Sequence, residues 1–337
     1  MNPPYAVPGG RLTMRGSGFD TRRAHAFRAY VGEARAQITR ISAEEISVIV
    51  PETDFPASGA KGLAVRVELN GDSSEPFLIS MAKKLAGELH PVSNPAFDFE
   101  GNLFVTFSGS RGEKVPVSVF KIDPGGRVKP FLSEILNPTG LAFAPDGDLY
   151  ISSRQEGSVY RVSPEAQAEL VADELGIATG LAFDREGILY VGDRQGTIYR
   201  IERNGEPRSF CHLPPSVAAY HLAFDREGNL FVTGPSLSST DPVYRVSSKG
   251  EIDLCCTGFG RPQGIAFDSD GNLYVTEALA GDSGVFRIDP QGRRQRIVSS
   301  PPLVGLAFDQ RGGLVLAGTS SIFHLDLGVF GMPLPVR

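Results

Sequence analysis

The chain has five histidines, three cysteines and 39 Asp plus Glu residues, and these are the side chains from which catalysis or metal binding would be built. A nucleophile needs a base within hydrogen-bond reach and a third group to orient that base. His25, His90, His212, His221 and His324 stand in no such spaced motif. Cys211, Cys255 and Cys256 are odd in number and lack metal-ligand spacing. The adjacent pair reads as two reduced thiols, because neighbouring side chains on a strand point to opposite faces. His221 is conspicuous for another reason. In "AAYHLAF" it follows Tyr220, where the related stretches "NPTGLAF", "IATGLAF" and "RPQGIAF" place Gly140, Gly180 and Gly264.

Those stretches belong to an internal repeat. Phe97, Phe143, Phe183, Phe224, Phe267 and Phe308 recur at intervals of 40 to 46 residues. Each ends a short apolar run and is followed by a polar turn and a second run: "DFEGNLFV", "APDGDLYI", "DREGILYV", "DREGNLFV", "DSDGNLYV", "DQRGGLVL". A third run such as "GTIYRIE" and a fourth such as "PRSFCHL" complete most repeats. The runs are five to seven residues long, alternate with period two and favour β-branched or aromatic residues, so they predict strands. Four short strands every forty residues or so predict the blade of a β-propeller, and six repeats predict six blades. The last repeat lacks a fourth strand, since "GVFGMPLPVR" is too rich in Gly and Pro. The run "KKLAGEL" at residues 83–89 is expected to supply it and close the ring, which removes the exposed edges. The Asp-x-x-Gly turns resemble pieces of calcium loops but lack the ligand run. A hairpin turn explains Asp and Gly there, because Gly accepts positive φ.

Alternating strand direction places the short first-to-second turns at one end of the propeller. The variable second-to-third loops ("FSGSRGEKVP", "DRQG", "GPSLSSTDP", "EALAGDS") lie at the other, with the segments that lead into each innermost strand. Variable loops on a rigid scaffold are where function is usually carried. The candidate ligand-binding residues at that end are Arg154, Asp193, Tyr220, His221, Gln263 and Glu277, with Arg194 beside them. Together they predict a mixed polar pocket at the channel mouth. The glycines are expected to leave that mouth open and Tyr220-His221 to fill part of it. The function expected is non-catalytic binding of a protein, peptide or saccharide, with no catalytic residue, no metal and no cofactor.

Residues 1–82 lack the repeat. Their Gly/Pro/Ser-punctuated runs ("GRLTMRGSGF", "AFRAYVGEA", "AQITRIS", "EISVIVP", "GLAVRVELNG", "PFLISMA") predict a small β-sandwich. "PGGRLTMRGSGFD", "YVGEARAQITRISAEEISVIVPE" and "GLAVRVELNGDSSEP" resemble an IPT/TIG domain, an immunoglobulin-like fold that implies a spacer or interaction module. The repeats of residues 83–337, "RPQGIAFDSDGNLYVTEALAGDSGVFRIDP" above all, resemble NHL-type and SMP-30/gluconolactonase-type propellers. The expected architecture is therefore all-β, an immunoglobulin-like β-sandwich plus a six-bladed β-propeller closed by an N-terminal strand.

The resemblance also implies an alternative function, a metal-dependent lactonase or hydrolase. That family holds one divalent cation, such as Ca²⁺, on Glu, Asn and Asp side chains that lead into the innermost strands. The cation polarises the lactone carbonyl and activates water. The matching positions here are Ser93, Thr139, Thr179, Tyr220, Gln263 and Val304, and one residue later Asn94, Gly140, Gly180, His221, Gly264 and Gly305. None is a carboxylate, and the family's Glu-Gly-Pro motif is missing. A streptogramin-lyase-like propeller would need His with a metal-binding acid, for which Glu277 is the candidate.

The bulk numbers narrow the partners. A net charge of −6 and the absence of a basic stripe speak against nucleic acid. The short run Arg293-Arg294-Gln295-Arg296 reads as a solvated edge strand. No apolar run approaches the roughly 18 residues of a membrane span. The first residues, "MNPPYAVPGGRL", have no signal-peptide pattern, so a cytoplasmic location is the default expectation and an extracytoplasmic one stays open. The oligomeric state is open as well.

Overall fold

In the computed structural model, the described residues are 3–17, 19–53, 55, 62–202, 205–278 and 283–333, with the backbone alone at Arg23. The loop tip at 279–282, within "EALAGDS", lies outside them. Among the described residues the structure is all-β. One 3₁₀ segment interrupts it at Thr21–Ala26, where the Asp20 carboxylate accepts the Arg22 backbone N–H at 3.1 Å. No described helix is long and apolar enough to cross a membrane.

The repeats form a β-propeller arrangement. Five separate four-stranded sheets are antiparallel throughout. The first runs Ala96–Phe97, Leu103–Thr106, Val119–Ile122, Val128–Leu132. The second runs Pro138–Phe143, Leu149–Ser153, Ser158–Val162, Ala168–Ala172. The third comprises Ala178–Phe183, Leu189–Asp193, Thr197–Ile201 and Pro207–His212. The fourth comprises His221–Phe224, Leu230–Thr233, Asp241–Val246 and Ile252–Phe259. The last comprises Leu303–Phe308, Gly313–Gly318 and Ile322–Asp326, completed by Lys83–Ala86, which pairs antiparallel with Ile322–Asp326. Between the fourth and the last, Pro262–Phe267, Leu273–Glu277, Gly284–Ile288 and Arg294–Ser299 have the same antiparallel order but belong to a twelve-stranded sheet.

That larger sheet joins the two halves of the chain. The short strand Tyr5–Ala6 pairs in parallel with Phe77–Met81 on one side and with Arg294–Ser299 on the other. The Val7 N–H donates to the Ser299 carbonyl at 2.8 Å, and Ser299 Oγ donates to the Arg11 carbonyl at 2.6 Å. The basic run expected at a solvated edge is thus partly covered. Arg293 pairs with Asp289 at 2.6 Å and Arg294 with Glu277 at 2.6 Å. The remaining N-terminal strands lie in the order Arg11–Arg15, Glu45–Ile49, Ala34–Ile41, Phe27–Val31, Leu63–Leu69, Phe77–Met81, around a core containing Leu12, Phe27, Ile46, Val48, Val65 and Ile79. The run "AFRAYVGEA", expected as one strand, is a hairpin corner. Gly32 takes φ 58°, so Phe27–Val31 turns back into Ala34–Ile41.

Two recurring devices explain why the repeats stack. The Asp of each Asp-x-x-Gly turn accepts backbone N–H groups within its own loop, as Asp184 does from Glu186 at 3.0 Å and Ile188 at 2.8 Å. These carboxylates are occupied by the turn itself, an Asx-type geometry. Five of the six anchor phenylalanines then meet an aromatic of the preceding sheet edge to face. The pairs are Phe143 with Phe104, Phe183 with Tyr150, Phe224 with Tyr190, Phe267 with Phe231 and Phe308 with Tyr274, at ring-centroid distances of 4.9 to 5.2 Å. Such pairs add roughly 0.5–1.5 kcal/mol each beyond the area they bury.

Candidate functional site

The innermost strands converge most tightly at the glycine positions. A Cβ on Gly140 would run into the Thr179 carbonyl, and one on Gly180 into the Tyr220 carbonyl. A Cβ on Gly305 would meet the Ser93 carbonyl. The glycines therefore let neighbouring backbones touch. They close the channel into a neck, the opposite of the open mouth expected for them. Hydroxyls from the second strands lock the neck. Ser152 Oγ accepts the Gly140 N–H at 2.8 Å and donates to the Thr179 carbonyl, and Thr233 Oγ1 donates to the Gln263 carbonyl.

The two ring positions that are not glycine fill the neck. Asn94 donates to the Ile265 carbonyl at 3.0 Å and accepts the Leu306 N–H at 3.1 Å, tying the innermost strands Pro262–Phe267 and Leu303–Phe308 to the segment that leads into Ala96–Phe97. His221 is 1% exposed, and neither ring nitrogen has a hydrogen-bond partner. Burial pushes its pKa down to about 3; the neighbouring Gln263 side chain pulls weakly the other way, without a hydrogen bond of ordinary geometry. The imidazole is neutral at pH 7.

Below the neck lies a channel cavity of about 570 Å³, with His221 and Asn94 in its roof and the anchor phenylalanines around its lower end. Residues 330–333 line that lower end. They are held there by the Ser269 N–H donating to the Phe330 carbonyl at 2.8 Å and the Met332 N–H donating to the Phe267 carbonyl at 3.0 Å. The Gly/Pro-rich tail that could not form a strand thus has a structural place. Sequence reasoning saw its unsuitability for a sheet but not this destination.

Above the neck, at the variable-loop end, the structure separates the other candidates. Tyr220 does not line the cavity. It is buried among Leu213, Leu222 and Val232, and its hydroxyl donates to the Pro214 carbonyl. Asp193 is 4% exposed and accepts the Ile177 N–H at 2.8 Å and the Gln195 N–H at 3.1 Å. Glu277, at the matching place in its sheet, accepts the Gly260 N–H at 3.0 Å and is ion-paired with Arg294. Arg294 in turn stacks on Phe259 and Phe286, with its guanidinium carbon 3.7 and 4.1 Å from the ring centroids. Both acids brace the segments that lead into the innermost strands. Gln263 is half-buried at the neck.

Arg154 differs from these. It is half-buried, one terminal nitrogen donates to the Gly109 carbonyl at 3.2 Å, and its Nε has no partner. Its pKa is lowered first by desolvation and then by the positive charges of Arg194 and Arg111. Arg194 donates to the Val217 carbonyl at 2.6 Å, and Arg111 is exposed. Among the described residues none of the three arginines makes an ion pair within 4.0 Å. Arg111 was not singled out by the sequence, since its loop varies and has no periodic frame.

No group of three or more His, Cys, Asp or Glu residues among the described ones is arranged to hold a metal ion. The described cysteines are free thiols.

No family model matches the chain, and no curated protein matches it. Solved structures do resemble it. A putative gluconolactonase shares 17% identity at TM-score 0.62, over 75% of this chain and 93% of that one. The calcium-binding protein regucalcin from Agrobacterium tumefaciens shares 15% at TM-score 0.60, over 76% and 96%. An auxiliary nutrient binding protein from Bacteroides ovatus shares 13% at TM-score 0.56, over 96% of both chains. With the sheet arrangement, these likenesses define the class: the chain is a β-propeller protein.

Proposed function

We propose that the chain is a non-catalytic binding protein. It presents the variable-loop end of its propeller to a ligand that carries carboxylates, a saccharide or a peptide. The observation that carries this reading is the Arg154 guanidinium, half-buried between like charges with an unpartnered Nε. Removing a cation from water beside two others is unfavourable unless an anion completes the site. Arg194 and Arg111 complete the cradle, while Asp193, next to Arg194, holds the segment at Ile177. The nutrient-binding neighbour, similar over nearly the whole chain, supports a binding role. In the same reading, the run from Pro262 to Ser299 acts as one blade among six, and residues 1–82 are an IPT/TIG-like module serving as spacer or second contact surface.

The lactonase alternative draws on the gluconolactonase-like and regucalcin neighbours. A hard divalent cation needs several oxygen ligands, carboxylates among them. The neck offers Asn94, whose amide already holds Ile265 and Leu306, and the buried His221. That donor set does not fit Ca²⁺, and no lactonase step is derived from it.

Titration of the full chain with tetragalacturonate, hexaglutamate and neutral maltotetraose tests the binding reading. An acidic ligand should bind with affinity that falls as salt rises, and Arg154→Ala should weaken it about tenfold or more, as expected for a lost charge-assisted contact. Equal binding of maltotetraose, or an Arg154→Ala variant as good as the parent, would contradict it.

A further inference from the structure

The channel below the neck is separate from the arginine site, and its chemistry is of a different kind. Its volume of about 570 Å³ falls within the roughly 300–1,000 Å³ of small-molecule sites. Its walls are the alanines and leucines of the innermost strands, among them Ala142, Ala307, Leu181 and Leu222. Ala142 and Ala307, each the next-to-last residue of its strand, are only partly buried and line the space. Most polar side chains around the space are already committed. In the roof, both amide atoms of Asn94 are bonded, while the His221 nitrogens have no partner but are sealed from solvent. At the lower rim, Asp98 accepts the N–H groups of Glu100 and Asn102, and Asp309 those of Arg311 and Gly313 together with His324. Apolar surface predominates in the walls, and cavities of this kind take apolar guests.

We propose that the lower channel is a binding site for an uncharged, apolar small molecule of aromatic or branched aliphatic character. It fills the space between the neck and residues 330–333. Such a guest exchanges water for apolar wall and asks nothing of the roof, whereas a charged one would be stranded without a partner.

The chain has no tryptophan, so an extrinsic naphthyl fluorophore reports without an indole background. The test is fluorescence titration of the full chain with N-phenyl-1-naphthylamine and with its sulfonated analogue 8-anilino-1-naphthalenesulfonate. The expected result is one N-phenyl-1-naphthylamine per chain, bound at least about tenfold more tightly than the sulfonate. Ala307→Leu and, independently, Ala142→Leu should each weaken the neutral probe by about tenfold while thermal unfolding stays cooperative. Two variants on different strands guard against one failing to fold. Absence of saturable binding of the neutral probe would overturn the proposal. So would equal affinity for the sulfonate, or binding unchanged in both variants.

Discussion

The two sides of the glycine neck differ in how they treat polar groups. Below it, carboxylates and amides are all consumed by turns and strand contacts, and what remains is an apolar channel. Above it, two acids are likewise consumed, but a guanidinium group is left half-buried beside two more. Acid and base at the upper end thus have different jobs, although the sequence presents them side by side in Asp193-Arg194. A polar residue whose every bond is made serves the scaffold, and a partly exposed cation without an ion pair is the better candidate for a ligand.

The neck itself offers the largest test of this contrast. Gly180→Val places branched carbon against the Tyr220 carbonyl and Leu222, and should cost about 3 kcal/mol or more, read by urea unfolding. A tolerated substitution would mean the neck is looser than described. Next comes Glu277→Ala, which leaves Arg294 without its partner. Removing one member of a fully buried pair costs roughly 3–5 kcal/mol; Arg294 retains 29% side-chain exposure, so about 2–3 is expected. If Glu277 served a ligand instead, stability would barely change.

His221 gives the pH dependence. The folded imidazole stays neutral down to about 3, while in the unfolded chain it takes a proton near 6.5. The unfolded chain therefore binds more protons between those values. The stability this group contributes is full above pH 6.5 and is lost as pH falls toward 3. Between pH 6 and pH 4 the parent should lose stability faster than His221→Leu by up to one proton's worth, about 1.4 kcal/mol per pH unit. Parallel profiles would place His221 in contact with water. Smaller still is Tyr220→Phe, which loses one buried hydroxyl bond to Pro214 and should cost about 1 kcal/mol without affecting either ligand site.

The repeat was legible because strand periodicity, Asp-x-x-Gly turns and the anchor Phe each answer to a local rule. The pairing of residues 83–86 with the last sheet was legible for the same reason, since the missing strand left a gap of known spacing. The site was less so. The glycines stand out in the repeat, but absence of a side chain suggests open space, whereas here it permits backbone contact between sheets. Tyr220 and Glu277 have residue types that suit a binding pocket, and only their partners, Pro214 and Arg294, show what they do. Those partners come from loops and strands whose approach no period announces. Residues 330–333 lie across the channel by two backbone bonds, which residue types cannot foretell.

The central claim is that the neck divides the molecule into an anion-binding end and an apolar channel that act independently. A crossed titration tests it most directly. Arg154→Ala should change stability by less than about 0.5 kcal/mol and weaken tetragalacturonate, leaving N-phenyl-1-naphthylamine binding as in the parent. Ala307→Leu should do the reverse. Loss of both ligands in either variant that remains folded, or loss of neither, would contradict the claim.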